Sequence, residues 1–90
     1  MKVRYESSFS KDLKKIQDPK TLLRIRRLIE TIKSAESPLE IPNLKKIRGH
    51  EGFFRVRLSD YRVGLDIAGD EVIFVRVLHR KDIYRFFPPK

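Results

Sequence analysis

Cysteine is absent from this chain of 90 residues. That excludes a disulfide framework and a thiolate metal site, and it fits a reducing cytoplasm. Histidine is scarce: His50 and His79 are the only two, with no HExxH spacing. They cannot build a usual zinc site, so no metal is expected. No apolar run approaches the roughly 20 residues of a membrane-spanning helix, and the opening MKVRYESSF lacks the apolar stretch of a signal peptide. A cytoplasmic protein that does not enter the membrane is therefore expected. Glycine is sparse too, and Gly49-His50-Glu51-Gly52 lacks the Lys-Ser/Thr that completes a phosphate loop. There is no serine triad, internal repeat or low-complexity segment, and no cofactor is expected.

Acidic residues are in short supply. Against 12 Asp and Glu stand 21 Lys and Arg, a formal net charge of +9. So strong a bias in one small domain, taken as residues 1–90, points to a polyanion or an acidic protein partner. A chain of this size buries only about 60–65% of its unfolded surface, enough for one sheet and a few helices around one core.

KVRYE at residues 2–6 alternates like a short strand, with Val3 and Tyr5 on one face. Ser7 or Ser8 is placed to cap a helix carrying Phe9, Leu13 and Ile16. Asp18 and Pro19 open a second helix with a stripe of Leu22, Ile25, Ile29 and Ile32, widened by Leu28; it should end near Ala35, ahead of Pro38. The short link makes the two helices a hairpin. Residues 37–52 read as a loop anchored by Leu44 and Ile47. Its cluster Lys45, Lys46 and Arg48 is either a solvated loop or a phosphate-contacting surface. Three strands follow: FFRVRL, YRVGLDI after a turn at Ser59-Asp60, and the nearly all-apolar VIFVRVLH, expected to be covered on both faces. Gly69 suits the turn before the last of them. RKDIYRFF is a candidate terminal helix. The order β-α-α-β-β-β(-α) predicts an α+β domain, largely antiparallel, with the helical hairpin on one face.

Period-2 alternation puts Arg55 and Arg57 on one face, roughly 6.6 Å apart. Arg62, across a tight turn, joins them. Like charges gathered this way cost stability unless an anion arrives, and arginine forks grip phosphate oxygens at two points. The competing reading is neutralisation by Asp60, Asp66 and Glu51. At the strand end, His79 is a proton donor or acceptor near neutral pH, Arg80 an anion stabiliser, and Tyr84 a hydrogen-bonding, stacking or proton-transfer group. Each also has a plain structural reading, as a strand-end polar residue or a core plug.

The chain, over essentially its whole length and most specifically from Leu44 to Arg85, resembles toxins of the RelE/ParE superfamily of bacterial type II toxin–antitoxin modules. The resemblance rests on Arg55-Val56-Arg57, on Tyr61-Arg62 and on HRKDIYR (residues 79–85). Its RelE branch implies an endoribonuclease that cuts mRNA on the ribosome and leaves a 2′,3′-cyclic phosphate. It implies Arg55, Arg57, Arg62, Arg80 and Tyr84 as active-site positions. It further implies a cognate antitoxin that covers the basic surface, and contacts from Lys45, Lys46 and Arg48 to message or to 16S rRNA. The ParE branch implies inhibition of DNA gyrase instead. The best-known RelE pattern has lysines at the positions of Arg55 and Arg57. An arginine effectively never loses its proton, so His79 becomes the first candidate for the general base, Tyr84 the second and His50 the third.

Overall fold

Asp18 and Pro19 behave as their chemistry dictates. In the computed structural model, which describes residues 1–89 and leaves Lys90 outside, helix α2 runs Pro19–Ser34. The Asp18 carboxylate accepts hydrogen bonds from the Lys20 and Thr21 amides, and proline occupies the first turn, where no N–H is missed. The buried stripe of α2 is Thr21, Ile25, Leu28 and Ile32. It is rotated from expectation: Leu22 is partly exposed and Thr21 takes its place, its hydroxyl donating to Asp18 Oδ2 at 2.7 Å.

The preceding helix, α1 (Ser7–Lys15), has Glu6 at its N-cap and no side-chain cap. The expected serine cap is not made. The Ser8 hydroxyl instead donates to the Val75 carbonyl at 2.6 Å. That carbonyl lies on an interior strand just beyond the point where its neighbour ends, and a buried backbone acceptor needs a partner.

Five strands form one sheet in the order β1-β5-β4-β3-β2. Strands β3 (Phe53–Leu58), β4 (Tyr61–Ala68) and β5 (Glu71–His79) make the expected antiparallel meander. β1 (Lys2–Tyr5) lies parallel to the first half of β5. The sheet thus extends across the chain's own crossover, the two helices. Residues 37–52 are not all loop. A 3-10 turn covers Pro38–Glu40, and Leu44–Lys46 forms β2, an edge strand antiparallel to β3. At the end of the chain α3 (Ile83–Phe86) is a single helical turn.

The two faces of the sheet bury different sets. On the helical side Phe9, Ile25, Leu28 and Ile32 meet Val56, Val63, Leu65, Val72, Phe74 and Val77. On the other side Val75 packs with Ile83 and Phe87, bordered by Ile47, Phe53, Ile73 and Leu78. β5 is covered on both faces, which explains its apolar run. Leu44 and Ile47 both anchor inward, but into opposite clusters. A bulge leaves Val75 unpaired between Arg76, opposite Gly64, and Phe74, opposite Leu65. It aims Val75 and Arg76 to the same side, as bulges do. Gly64 lies directly under the Phe87 ring. A Cβ there would stand 2.8 Å from ring carbons, so only glycine admits the aromatic plug.

Candidate anion-binding and active site

Strand register assembles the arginines. Arg57 pairs with Arg62 and Arg55 with Gly64 in the β3–β4 ladder, and Lys45 of β2 pairs with Arg55. Paired residues share a face, so Lys45, Arg55, Arg57 and Arg62 project together on the side away from α1 and α2. They stand in two rows, separated by roughly 6.6 Å along the strands. α3 overlooks these rows, held by Ile83 and Phe87, both fully buried. From α3, Tyr84 reaches back over β3, and Arg55 Nε donates a hydrogen bond to its phenol oxygen at 3.3 Å.

Arg62 is the most constrained of the group. Its Nη1 donates to the carbonyls of Ser59 at 2.8 Å and Tyr61 at 2.9 Å. The turn that brings β4 back along β3 therefore also aims the guanidinium. Partial burial holds the Arg62 pKa below its ordinary value, and the charges of Arg55, Arg57 and Arg80 push the same way; Tyr84 opposes them. These neighbours are the cationic groups placed together by strand register, with Arg80 joining from the turn after β5. There the Arg80 amide donates to the Asp60 carbonyl at 2.7 Å, and its side chain stands 4.0 Å from the Asp60 carboxylate.

The carboxylates expected to neutralise this face do not. Among the described residues, Arg55, Arg57 and Arg62 form no ion pair. Among the described residues Asp60 pairs only with Arg80, at the limit of a salt bridge and well exposed, where such pairs contribute little. The basic cluster of residues 45–48 is not a detached loop either. Lys45, Lys46, Ile47, Arg48, Arg55 and Tyr84 line one cleft of about 340 Å³, an extension of the arginine rows past Tyr84.

His79 stands apart. It pairs with Tyr61 on the helical side of the sheet, and their rings meet edge-on at 5.7 Å. Its Nδ1 accepts the Lys81 amide at 3.2 Å. It borders a separate small cleft of about 160 Å³ with Asp12, Lys15 and Ile16. The sheet therefore separates His79 from the arginines, and the expectation that it sits beside them is corrected. Its sequence neighbour Arg80 does belong to the group, because successive residues at a strand end turn to opposite sides. His50 lies in the loop before β3, its ring 6.2 Å from that of Phe53; among the described residues it does not line the cleft of Arg55 and Tyr84.

One ion pair escaped the sequence reading. Arg76 Nε and Nη2 donate to Asp12 Oδ2 and Oδ1 at 2.8 and 3.0 Å, and the Val77 amide donates to the same carboxylate at 3.1 Å. Asp12 is 3% exposed. A lone charge inside VIFVRVLH was the available signal, since a buried charge requires a partner.

Fold and face together define a small basic α+β protein with an unneutralised arginine cluster on its sheet. Residues 3–84 match the family model described as "ParE toxin of type II toxin-antitoxin system, parDE". The chain belongs to the RelE/ParE superfamily of type II toxin–antitoxin toxins, on its RelE-like branch. It is 40% identical over 89 residues to Toxin RelE3 of Methanocaldococcus jannaschii, covering 98% of this chain and 100% of that one. The toxin–antitoxin RelB–RelE complex from Methanococcus jannaschii contains a chain that superposes with a TM-score of 0.81 at 38% identity, over 94% of this chain and 99% of that one. The archaeal RelE–RelB complex from Pyrococcus horikoshii OT3 shares the fold, with a TM-score of 0.72 at 19% identity over 91% and 97% of the two chains. Among the described residues no helix is long and apolar enough to cross a membrane.

Proposed function

We propose that the protein is a RelE-like mRNA endoribonuclease that acts on ribosome-bound message, and that Arg55, Arg57, Arg62, Arg80 and Tyr84 form its active site. The observation that carries this reading is the crowding of Arg55, Arg57 and Arg62 beside one another, with Tyr84 against Arg55 and no carboxylate partner for the three among the described residues. Such a face is costly while empty and is relieved by a phosphodiester.

In the reaction the 2′-oxygen bonds to the adjacent phosphorus and the bond from phosphorus to the 5′-oxygen breaks. The products are a 2′,3′-cyclic phosphate and a free 5′-hydroxyl. Charge accumulates on the non-bridging oxygens in the transition state. The free N–H groups of Arg57 and Arg62 are aimed to meet it, pre-set by the strand ladder and the Ser59–Tyr61 turn. The 2′-hydroxyl must lose a proton and the 5′-oxygen must gain one, and arginine does neither. Lys45 and Tyr84 are both proton-carrying groups on this face, and Tyr84 is the one hydrogen-bonded to Arg55. Because its oxygen accepts from Arg55, its own O–H stays free to be given to the leaving oxygen, while the 2′-hydroxyl proton passes to water and the Tyr84 phenolate regains its proton from solvent. Lys45, Lys46 and Arg48 carry the chain of phosphates onward along the cleft.

The partner is a cognate antitoxin. The similar structures from M. jannaschii and P. horikoshii are of RelE with RelB, and a net charge of +9 suits an acidic segment that covers the same face.

Primer extension on message after induced expression tests the reading. Cuts within translated message that vanish when translation is blocked support it; intact message does not. The ParE description of the matching family model favours a second reading, inhibition of DNA gyrase. A supercoiling assay with purified gyrase separates the two, since a nuclease leaves supercoiling untouched.

A further inference from the structure

Phe86 is an aromatic side chain left 50% exposed on a helix of one turn. Apolar area in water calls for a compensating contact, and Phe86 has one. The Arg76 guanidinium lies over its ring, 5.3 Å from the centroid, within the range of a cation–π contact. The same guanidinium spends its edge on Asp12, in a two-point bond to a buried carboxylate. One guanidinium thus serves the carboxylate and the aromatic ring at once, which a lysine could not reproduce. Asp12 in turn is fixed by the Val77 amide. A continuous line of contacts therefore runs from α1, past the edge of β5, to α3.

α3 needs such a line. Ile83 and Phe87 lie on its buried side and hold it down. At about 100° per residue, Tyr84 and Phe86 project to the two opposite flanks of that side. Phe86 is held on one flank by Arg76 and Tyr84 on the other by Arg55. Two buried residues fix the height of one helical turn, but not its roll. The flanking contacts do that. With side chains extending roughly 5–6 Å from a helix axis, a roll of about 10° carries the phenol oxygen on the order of 1 Å.

We infer that Asp12, Arg76 and Phe86 form a strut that sets the roll of α3 and thereby holds Tyr84 over Arg55, which makes Arg76 and Phe86 positioning residues for the proposed active site. The catalytic consequence rests on the function proposed above; the positioning itself does not.

Arg76→Ala is a poor test, because it strands the Asp12 carboxylate in the interior and threatens the fold. Phe86→Leu keeps apolar bulk on a half-exposed side chain and removes the ring face; Phe86→Tyr restores it. Two measurements are made on the full chain. The first is the nuclear Overhauser contact between the Tyr84 ring and the Arg55 side chain, which requires no activity. It should be present in the native protein and in Phe86→Tyr, and lost in Phe86→Leu. The second is single-turnover cleavage of message on programmed ribosomes. Phe86→Leu should lower the rate about 10²-fold, the effect of misplacing a reacting group by about 1 Å, with ribosome affinity unchanged. Phe86→Tyr should recover it. In a Tyr84→Phe background, Phe86→Leu should add nothing.

An unchanged Tyr84–Arg55 contact in Phe86→Leu overturns the inference whatever the activity. So does a rate loss that persists in full after Tyr84 has been replaced. If the contact moves as expected but the native protein cuts no message, the strut stands and the ribonuclease reading falls.

Discussion

Arg57 and Arg62 are direct cross-strand partners in the β3–β4 ladder, and neither meets a carboxylate among the described residues. Like charges facing each other across a ladder destabilise it by roughly 0.2–1 kcal/mol. Arg57→Gln should therefore make the free protein slightly more stable to urea while weakening its hold on anions. With a non-cleavable 2′-deoxy oligonucleotide near ten times its Kd, the native protein should gain about 1.4 kcal/mol of stability, and the variant much less. The two effects have opposite signs, so one pair of denaturation curves with and without oligonucleotide reads both. A variant destabilised in the free state would mean that the face is already neutralised.

Gly64→Ala is expected to cost about 1–3 kcal/mol, as overpacked sites do. The added methyl would meet the Phe87 ring at 2.8 Å, and that ring is fully buried, with no free direction in which to yield. The damage should concentrate on α3, since Phe87 and Ile83 hold it to the sheet. Urea midpoints measure the cost. Hydrogen exchange in the last ten residues, rising more than exchange in α2, would locate it.

Asp18 supplies a pH dependence. Its pKa lies below the ordinary 3.8, first because the Thr21 hydroxyl donates to it, then through the amides of Lys20 and Thr21 and the Lys20 charge. A carboxyl with a lowered folded pKa stabilises the fold fully above its unfolded value. That stabilisation disappears as pH falls through the folded value. The Tm difference between the native protein and Asp18→Ala should hence be constant from pH 7 to about pH 5. It should narrow as the medium is acidified past the ordinary carboxyl range. A difference that widened on acidification would have the wrong sign for a capping carboxylate.

The closing meander was legible in the sequence because alternation over Phe53–Leu58 and Tyr61–Ile67 is nearly unbroken, and a short turn fixes which arginines share a face. β2 was not. Leu44-Lys45-Lys46 is too short to show a period, and only its pairing with β3 defines it. The place of β1 beside β5 depends on a contact between the two ends of the chain, which no local pattern carries. Ser8 looked like a cap because a hydroxyl at a helix start usually is one; the Val75 carbonyl of β5, left without a strand partner beyond the end of β1, claimed it instead. His79 was misplaced for a different reason. Standing next to Arg80 in sequence suggested a shared site. Counting alternation two residues on from Val77, however, puts its side chain on the helical face with Tyr61.

That placement leads to the sharpest test of the proposed chemistry. If proton transfer passes through Tyr84, then Tyr84→Phe, which keeps the ring and removes only the O–H, should slow single-turnover cleavage by about 10²–10⁴-fold, the usual value of a positioned acid or base. Arg62→Ala should cost about 10²–10³-fold through lost transition-state charge stabilisation. His79→Gln should leave both the rate and its pH profile as they are. The imidazole faces Asp12, Lys15 and Ile16 on the helical side of the sheet, and its Nδ1 is occupied by the Lys81 amide. Rate–pH profiles of the native protein and the three variants on programmed ribosomes decide the matter. A His79→Gln protein that loses a limb of the profile would return the proton to the imidazole. The end of β5 would then have to rearrange on the ribosome, to bring that ring round towards Arg80. A Tyr84→Phe protein that cuts at the native rate would leave this face as an anion-binding surface only, and the gyrase reading would gain by it.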